Sequence, residues 1–399
     1  MVNILYISSL SSKRLVNKIH KESGRDPGFA VQKFNRLVSM GLKHNGANVK
    51  VYSKPPVGNV VGHTWVNEST ETEDDLTYSY LSYYNVPIIR DLLTFFLTFW
   101  QVVKFVVKNR GEKAVVCDVL AVSMNLGAVL ASKLMRVKIV GIVTDMPGLM
   151  VGNSEAQERM TLSKFVTAAI NKSYLSSYSH YVFLTEQMNS IINIYDRPYI
   201  VMEALCDNSH NISYDDPINK AEPKVVMYAG GLHKRYGLKL LVDAFCRLEM
   251  DDVQLWLLGD GPYVEELQGV LKKDHRVHYC GVVSNEEVLY KEQEATLLVN
   301  PRPTNEEFTK YSFPSKNMEY MASGTPLLTT KLPGMPEDYY PYIYLFEDED
   351  VDGFEQTLKM VLGLPEKDLV AKGIEAKEYV LKNKNYLVQT ERILKLIKK

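Results

Sequence analysis

KVVMYAGGLHKRYG, Lys224 to Gly237, decides the fold. An apolar run ending in Tyr228 and Ala229 has the length and composition of a buried strand. Gly230 and Gly231 interrupt it, and a basic pair, Lys234 and Arg235, precedes the next helical pattern. Strand, glycine turn and helix in that order form the start of a βαβ unit, which implies right-handed crossovers and a parallel sheet. The glycines let a ligand approach the backbone closely, and the two cations suit phosphate. Taken alone, the same turn is a loop with solvated charges.

The pattern repeats on both sides. Downstream, VQLWLLGD, VHYCGVV, ATLLVNP, PLLTT and YIYLF read as further strands with helices between them. Upstream, NILYIS, NVKVYS, AVVCDV, VKIVGIVTD and HYVFLT form a second series, separated by helical patterns such as Val31–Asn45 and Lys164–Ser176. At 399 residues the chain is too long for one ordinary core. The expected fold class is α/β, with two Rossmann-like doubly wound domains facing a cleft. The boundaries are 1–207, a polar linker at 208–222 (within DNSHNISYDDPINKAEP), and 223–380. The closing stretch Glu375–Lys399 reads as helical, with 381–399 packing back on the first domain. Ligands of such sheets sit at the carboxyl ends of the strands.

Composition excludes several classes. Four scattered cysteines, Cys117, Cys206, Cys246 and Cys280, lack the spacing of a disulfide framework or zinc site and suit a reducing compartment. The opening MVNILYISSLSSKR has no positive region ahead of its apolar segment and reads as a strand rather than a signal peptide. Leu92–Val103, LLTFFLTFWQVV, is apolar but falls short of the roughly 20 residues a spanning helix needs. Residues 1–200 carry 22 Lys+Arg against 15 Asp+Glu, leaving 24 against 33 in the remainder. A basic first half is either a solvated face or an attraction for anionic lipid or a phosphorylated substrate. The expectation is a cytoplasmic protein with peripheral contact at the inner face of the cytoplasmic membrane. No nucleic-acid partner is expected.

Three more strand ends in the second half carry unusual residues. LLGDGP, Leu257 to Pro262, places Gly259 at a tight turn, with Asp260 expected to cap the next helix. It is not a dinucleotide fingerprint, because Val264 stands where a third glycine is needed. In CGVVSNEE, Ser284 and Glu287 form a capping box, and Gly281–Val283 can offer backbone to a flat base. In KYSFPSKNMEYMASGTPLLTT, Lys310 to Thr330, Ser315 and Lys316 stand at a helix N-terminus, a natural phosphate seat. Glu319 lies one turn further along the same face, where a carboxylate can hold vicinal hydroxyls. Gly324 ends that helix.

In this order the motifs resemble the nucleotide-sugar domain of family 4 glycosyltransferases of the GT-B fold, closest to members from bacterial surface-polysaccharide clusters. The likeness is strong over 224–340 and looser before. It implies that Glu319 binds the donor ribose and that Ser315 and Lys316 bind the diphosphate. Lys234 and Arg235 would add cations, and Val283 would present backbone to the base. The Gly-rich role of the first domain falls on Gly28, Phe29 and Gln32, on the acceptor side. Asp145, in VTDMPG, ends a strand where the family places a polar residue near the donor sugar, and with Lys234 and Arg235 it is expected to be catalytic. Two positions depart from the family pattern: Tyr311 stands in place of a glutamate, and Gly231 and Tyr236 stand in place of the phosphate-loop Arg and Lys.

The resemblance implies a nucleoside diphosphate sugar as co-substrate, a saccharide or lipid-linked saccharide acceptor, retention of configuration, and no cofactor or metal. Asp348 and Asp350 in FEDEDVDG read as a surface loop, and His233 is the only histidine beside a candidate site. The rival readings are a non-catalytic nucleotide-binding scaffold, an NAD-dependent oxidoreductase, which the missing GxGxxG opposes, and a GT-B epimerase or phosphorylase.

Overall fold

Runs such as Ile4–Ile7 and Val225–Ala229 are apolar without alternation because both faces of their strands are covered. The computed structural model describes residues 1–24, 27–57, 65–145, 171, 173–207 and 220–399. It divides into two units, 1–205 with 386–399 and 206–385. Most of the linker expected at 208–222, and most of the helix expected at Lys164–Ser176, lie outside the described residues.

The first unit contains β1 (Asn3–Ser8), β2 (Asn48–Ser53), β3 (Trp65–Val66), β4 (Glu71–Glu73), β5 (Leu76–Tyr80), β6 (Tyr83–Tyr84), β7 (Lys113–Asp118), β8 (Lys138–Val143), β9 (His180–Phe183) and β10 (Tyr199–Val201). Its main sheet runs β10-β9-β8-β7-β1-β2-β5-β4, parallel except where β4 pairs antiparallel with β5. Helices α1 (Lys13–Ser23), α2 (Phe29–His44), α3 (Pro87–Lys108) and α4 (Val122–Leu134) lie among these strands. The core joins Ile4, Tyr6, Val51, Val116 and Ile142 to Ile393 and Ile397 from the helix Tyr386–Lys398. Gly41 on α2 admits that helix, since a methyl there would lie 2.4 Å from Thr390 Oγ1.

The expected single helix over Glu375–Lys399 is two helices, Glu366–Asn383 and Tyr386–Lys398. Between them the chain turns at Lys384–Asn385, where Lys384 O accepts from Cys206 N at 3.1 Å. The first of these helices belongs to the second unit and the other to the first.

The second unit holds a six-stranded parallel sheet of β11 (Lys224–Ala229), β12 (Val253–Leu258), β13 (Val277–Gly281), β14 (Leu297–Asn300), β15 (Leu327–Thr329) and β16 (Tyr344–Leu345), in the order β13-β12-β11-β14-β15-β16. Its core is a cluster that includes Val226, Leu241, Phe245, Leu257 and Phe354. All four cysteines are free thiols. Each unit is thus a Rossmann-like sheet with helices wound around it.

Candidate nucleotide-sugar site

Three adjacent strand ends meet backbone to backbone in the second unit. Gly230 N donates to Leu258 O at 2.8 Å, Leu232 N to Asp260 O at 2.8 Å, and Gly259 N to Gly281 O at 2.7 Å. Only glycine fits at position 259: φ is +123°, and a Cβ would lie 1.9 Å from Gly230 O. Asp260 does not cap a helix as expected. Its carboxylate accepts from Gly261 N at 2.8 Å, closing the turn, and the helix starts later, at Val264.

These ends bound a cavity of about 290 Å³ lined by Gly230, Gly231, Gly259, Asp260, Val283 and Lys316, among others. It lies at the carboxyl ends of β11 and β12, where parallel sheets bind ligands. Beyond Val283, Ser284 Oγ accepts from Glu287 N at 3.2 Å and caps the helix Asn285–Glu294.

Lys316 reaches this cavity because its helix, Ser315–Ser323, is pinned to β11. Tyr320, fully buried, accepts from Ala229 N at 2.8 Å through its hydroxyl, which also lies 3.2 Å from Ala229 O as donor. Asn317, also buried, accepts from Asn300 Nδ2 at 2.6 Å at the end of β14. With Tyr320 fixed, Lys316 one turn earlier points over Gly230, and a methyl there would lie 2.7 Å from Lys316 Cε. Neither Lys316 nor Ser315 has a hydrogen-bonding or ionic side-chain partner among the described residues, so the helix N-terminus presents a free cation and a free hydroxyl. Gly324 closes the helix at φ +86°.

The other expected residues are less concentrated. Glu319 is half-buried on the same helix but is not among the cavity-lining residues. Tyr311 follows a short 3₁₀ turn, its N–H donating to Phe308 O at 3.1 Å, also outside the lining. Lys234 is turned aside: its ammonium pairs with Glu266 on the helix after β12, so it is not a free cation at the cavity. Arg235 is exposed and lies over the Tyr236 and Phe308 rings at 5.2 and 5.8 Å. His233 stacks edge-on against Tyr236 at 5.1 Å. Asp350 caps the helix Val351–Leu362 by accepting from Gly353 N at 2.8 Å, a structural task.

Arg302, at the end of β14, escaped the sequence reading. Its guanidinium lies 4.9 Å over Tyr236 and 5.4 Å over Phe308. It has no hydrogen bond or carboxylate partner among the described residues, and its buried Nε is unsatisfied. Tyr236 in turn approaches Gly231, where a Cβ would lie 3.4 Å from its ring, so Arg302 stands one ring away from the cavity. The signal was an arginine between two prolines in NPRPT, with no acid beside it.

In the first unit, Gly28 has φ +82° and opens α2, and Phe29 is exposed and packs edge-on to His20 at 5.2 Å. Gln32 is buried, and its amide is committed to the loop after β1: Oε1 accepts from Ser11 N and Nε2 donates to Ser9 O, both at 2.8 Å. Asn35 Nδ2 donates to Asp118 Oδ2 at 2.9 Å, tying α2 to the end of β7. Burial pushes the Asp118 carboxyl up from the ordinary range. Asp145 is exposed, two residues beyond β8.

Residues 223–363 match the family described as glycosyl transferases group 1. The matched residues lie within the second unit. Among curated proteins no sequence matches. Solved structures similar in fold include a sucrose-phosphate synthase from Thermosynechococcus elongatus, with 15% identity, TM-score 0.62, and 99% of this chain and 98% of that one covered. Anabaena HepE in complex with UDP has 12% identity, TM-score 0.62 and 99% of each chain covered. The lipopolysaccharide outer core galactosyltransferase WaaB has 14% identity, TM-score 0.56 and 99% of each chain covered. At such identities the likeness shows the fold, which is the two-domain GT-B architecture. By its domain family the chain is a glycosyltransferase.

Proposed function

We propose that this glycosyltransferase moves a sugar from a nucleoside diphosphate sugar to a hydroxyl of a saccharide or lipid-linked saccharide, in surface polysaccharide or glycoconjugate synthesis. The observation that carries the donor assignment is the free Lys316 ammonium at a helix N-terminus, held over Gly230 in a glycine-walled cavity. As the bond from the anomeric carbon to the diphosphate breaks, charge builds on the leaving oxygens. A fixed cation and unsatisfied helix N–H groups stabilise that charge without reorganising. In this reading Ser315 and Lys316 receive the diphosphate, Val283 presents backbone to the base, and Glu319 holds the ribose. Arg235 and Arg302 supply further positive charge from the Tyr236 side, transfer proceeds with retention, and the site uses no metal.

A melting screen with UDP, GDP, ADP, dTDP and CMP tests the reading. One nucleoside diphosphate should raise Tm in the wild type and have much less effect on Lys316→Ala. No shift with any of them would overturn the donor site. Nucleotide binding without sugar release from a donor panel would favour the scaffold reading.

A further inference from the structure

A two-helix face in the first unit carries large apolar side chains on its outer side as well as its inner one. At about 100° per residue, Ile89, Leu92, Phe96, Trp100 and Val107 of α3 fall within one sector of roughly 80°. All five are exposed, Phe96 at 56% and Trp100 at 62%. The buried residues Thr94, Thr98, Val102 and Phe105 occupy a similar sector on the opposite side. On α4 the same holds for Leu126, Leu130 and Leu134, the last 65% exposed.

Small and hydroxylated residues take the seam between the helices. Thr94 Oγ1 lies 2.9 Å from Ser123 Oγ, and a methyl at Gly127 would meet Phe95 O at 2.2 Å. A helix pair in water buries its large apolar side chains against its own core. Here Val102, Phe105 and Met124 are buried on the inner side, small residues make the close contact, and a second set of large apolar residues faces outward, which suits an apolar surrounding. No helix of the described residues is long and apolar enough to cross a membrane, so a bilayer would meet this face at its surface only.

Charge selects the occupant. Because α3 and α4 each lead into neighbouring parallel strands, β7 and β8, their carboxyl ends lie at the same end of the sheet. Lys104, Lys108 and Arg110 gather there with Lys133 and Arg136, all exposed and none ion-paired among the described residues. A second copy of the chain that met this face with its own like face would bring little acid to the basic end. Of the exposed carboxylates on these helices and their flanks, Asp91 is already within 3.4 Å of Arg90, leaving Glu112. An anionic bilayer offers both apolar depth and phosphate charge.

We propose that α3 and α4 form a docking face for an anionic lipid surface, with Phe96, Trp100 and Leu134 entering the headgroup boundary and the basic cluster binding lipid phosphates. The face fits the lipid-linked acceptor in the proposed function but does not depend on donor binding.

Flotation with vesicles of equimolar phosphatidylcholine and phosphatidylglycerol, without nucleotide, reads this surface directly. The wild type should float with these vesicles and much less with phosphatidylcholine alone, and added salt should weaken the binding. Phe96→Ser with Trp100→Ser, and separately Lys104→Glu with Lys108→Glu, should each reduce binding by about tenfold or more. Ellipticity and nucleotide-induced melting shifts should stay unchanged in both variants. Wild type that stays with the soluble fraction, or variants that float as well as wild type, would overturn the proposal. A dimer converted to monomer by the Phe96→Ser, Trp100→Ser pair would also overturn it, reassigning the face to a second copy.

Discussion

The Lys316 side chain lies across Gly230, so close that a methyl group there would stand 2.7 Å from Lys316 Cε. The two positions are 86 residues apart in sequence and act as one feature. Lys316→Ala removes a charge-assisted contact worth about 1.5–3 kcal/mol, so nucleoside diphosphate affinity should fall roughly 10- to 100-fold in calorimetry. Gly230→Ala should weaken binding in the same direction by displacing the lysine. Equal affinity in both variants and wild type would remove the phosphate role.

Tyr320→Phe deletes the hydroxyl that meets both Ala229 N and Ala229 O. A loss of about 1–3 kcal/mol in denaturant unfolding is expected. Donor affinity should fall too, because the helix that carries Lys316 loses its anchor. Lost stability with unchanged affinity would mean that Lys316 is positioned by other contacts.

Arg302→Met should separate stability from binding. The guanidinium is largely desolvated, with aromatic rings beneath it and no carboxylate partner among the described residues, so its removal costs little or even stabilises the fold. Nucleoside diphosphate binding should nevertheless weaken by about tenfold. A large drop in Tm with intact binding would make Arg302 a structural residue.

Acid should expose the clamp at Glu71. Burial pushes this carboxyl up, but hydrogen bonds from Arg14, Ser12 and Tyr80 outweigh it and leave it below the ordinary range. A carboxylate with a lowered folded pKa stabilises above its unfolded value, near 4.5, and loses that contribution as pH falls through the folded one. The melting difference between wild type and Glu71→Gln should therefore be greatest near neutrality and close at acid pH. A constant difference across that range would show that the effect is steric.

Gly259→Ala places a methyl 1.9 Å from Gly230 O at a φ of +123°. A destabilisation of about 3 kcal/mol or more is expected, with the β11–β12 end distorted. Near-normal melting would show that the two strand ends can move apart.

The parallel strands were legible because, buried on both faces, they read as unbroken apolar runs, NILYIS and KVVMYA among them. The segment from Trp65 to Tyr84 was not. Its strands β3 to β6 are short and partly polar, and Glu71–Glu73 reads as surface until Ser12, Arg14 and Arg36 are seen against it. In the site, the glycine turns and the helix beginning at Ser315 could be read locally. Tyr320 could not, since its partner is backbone 91 residues away. Lys234 was legible as a cation but not as one engaged by Glu266, which the next βα unit supplies. Arg302 was hidden because its neighbours are rings from two other loops.

The helix Tyr386–Lys398 inserts Ile393 and Ile397 into the core of the first unit, yet it is translated after the entire second unit. On the ribosome, where N-terminal domains usually fold first, the earlier unit must wait with an unfilled groove along α2 while some 180 residues pass. The order of synthesis and the order of completion are therefore reversed, and premature chain release within that interval would leave the older half, not the newer, without its seal.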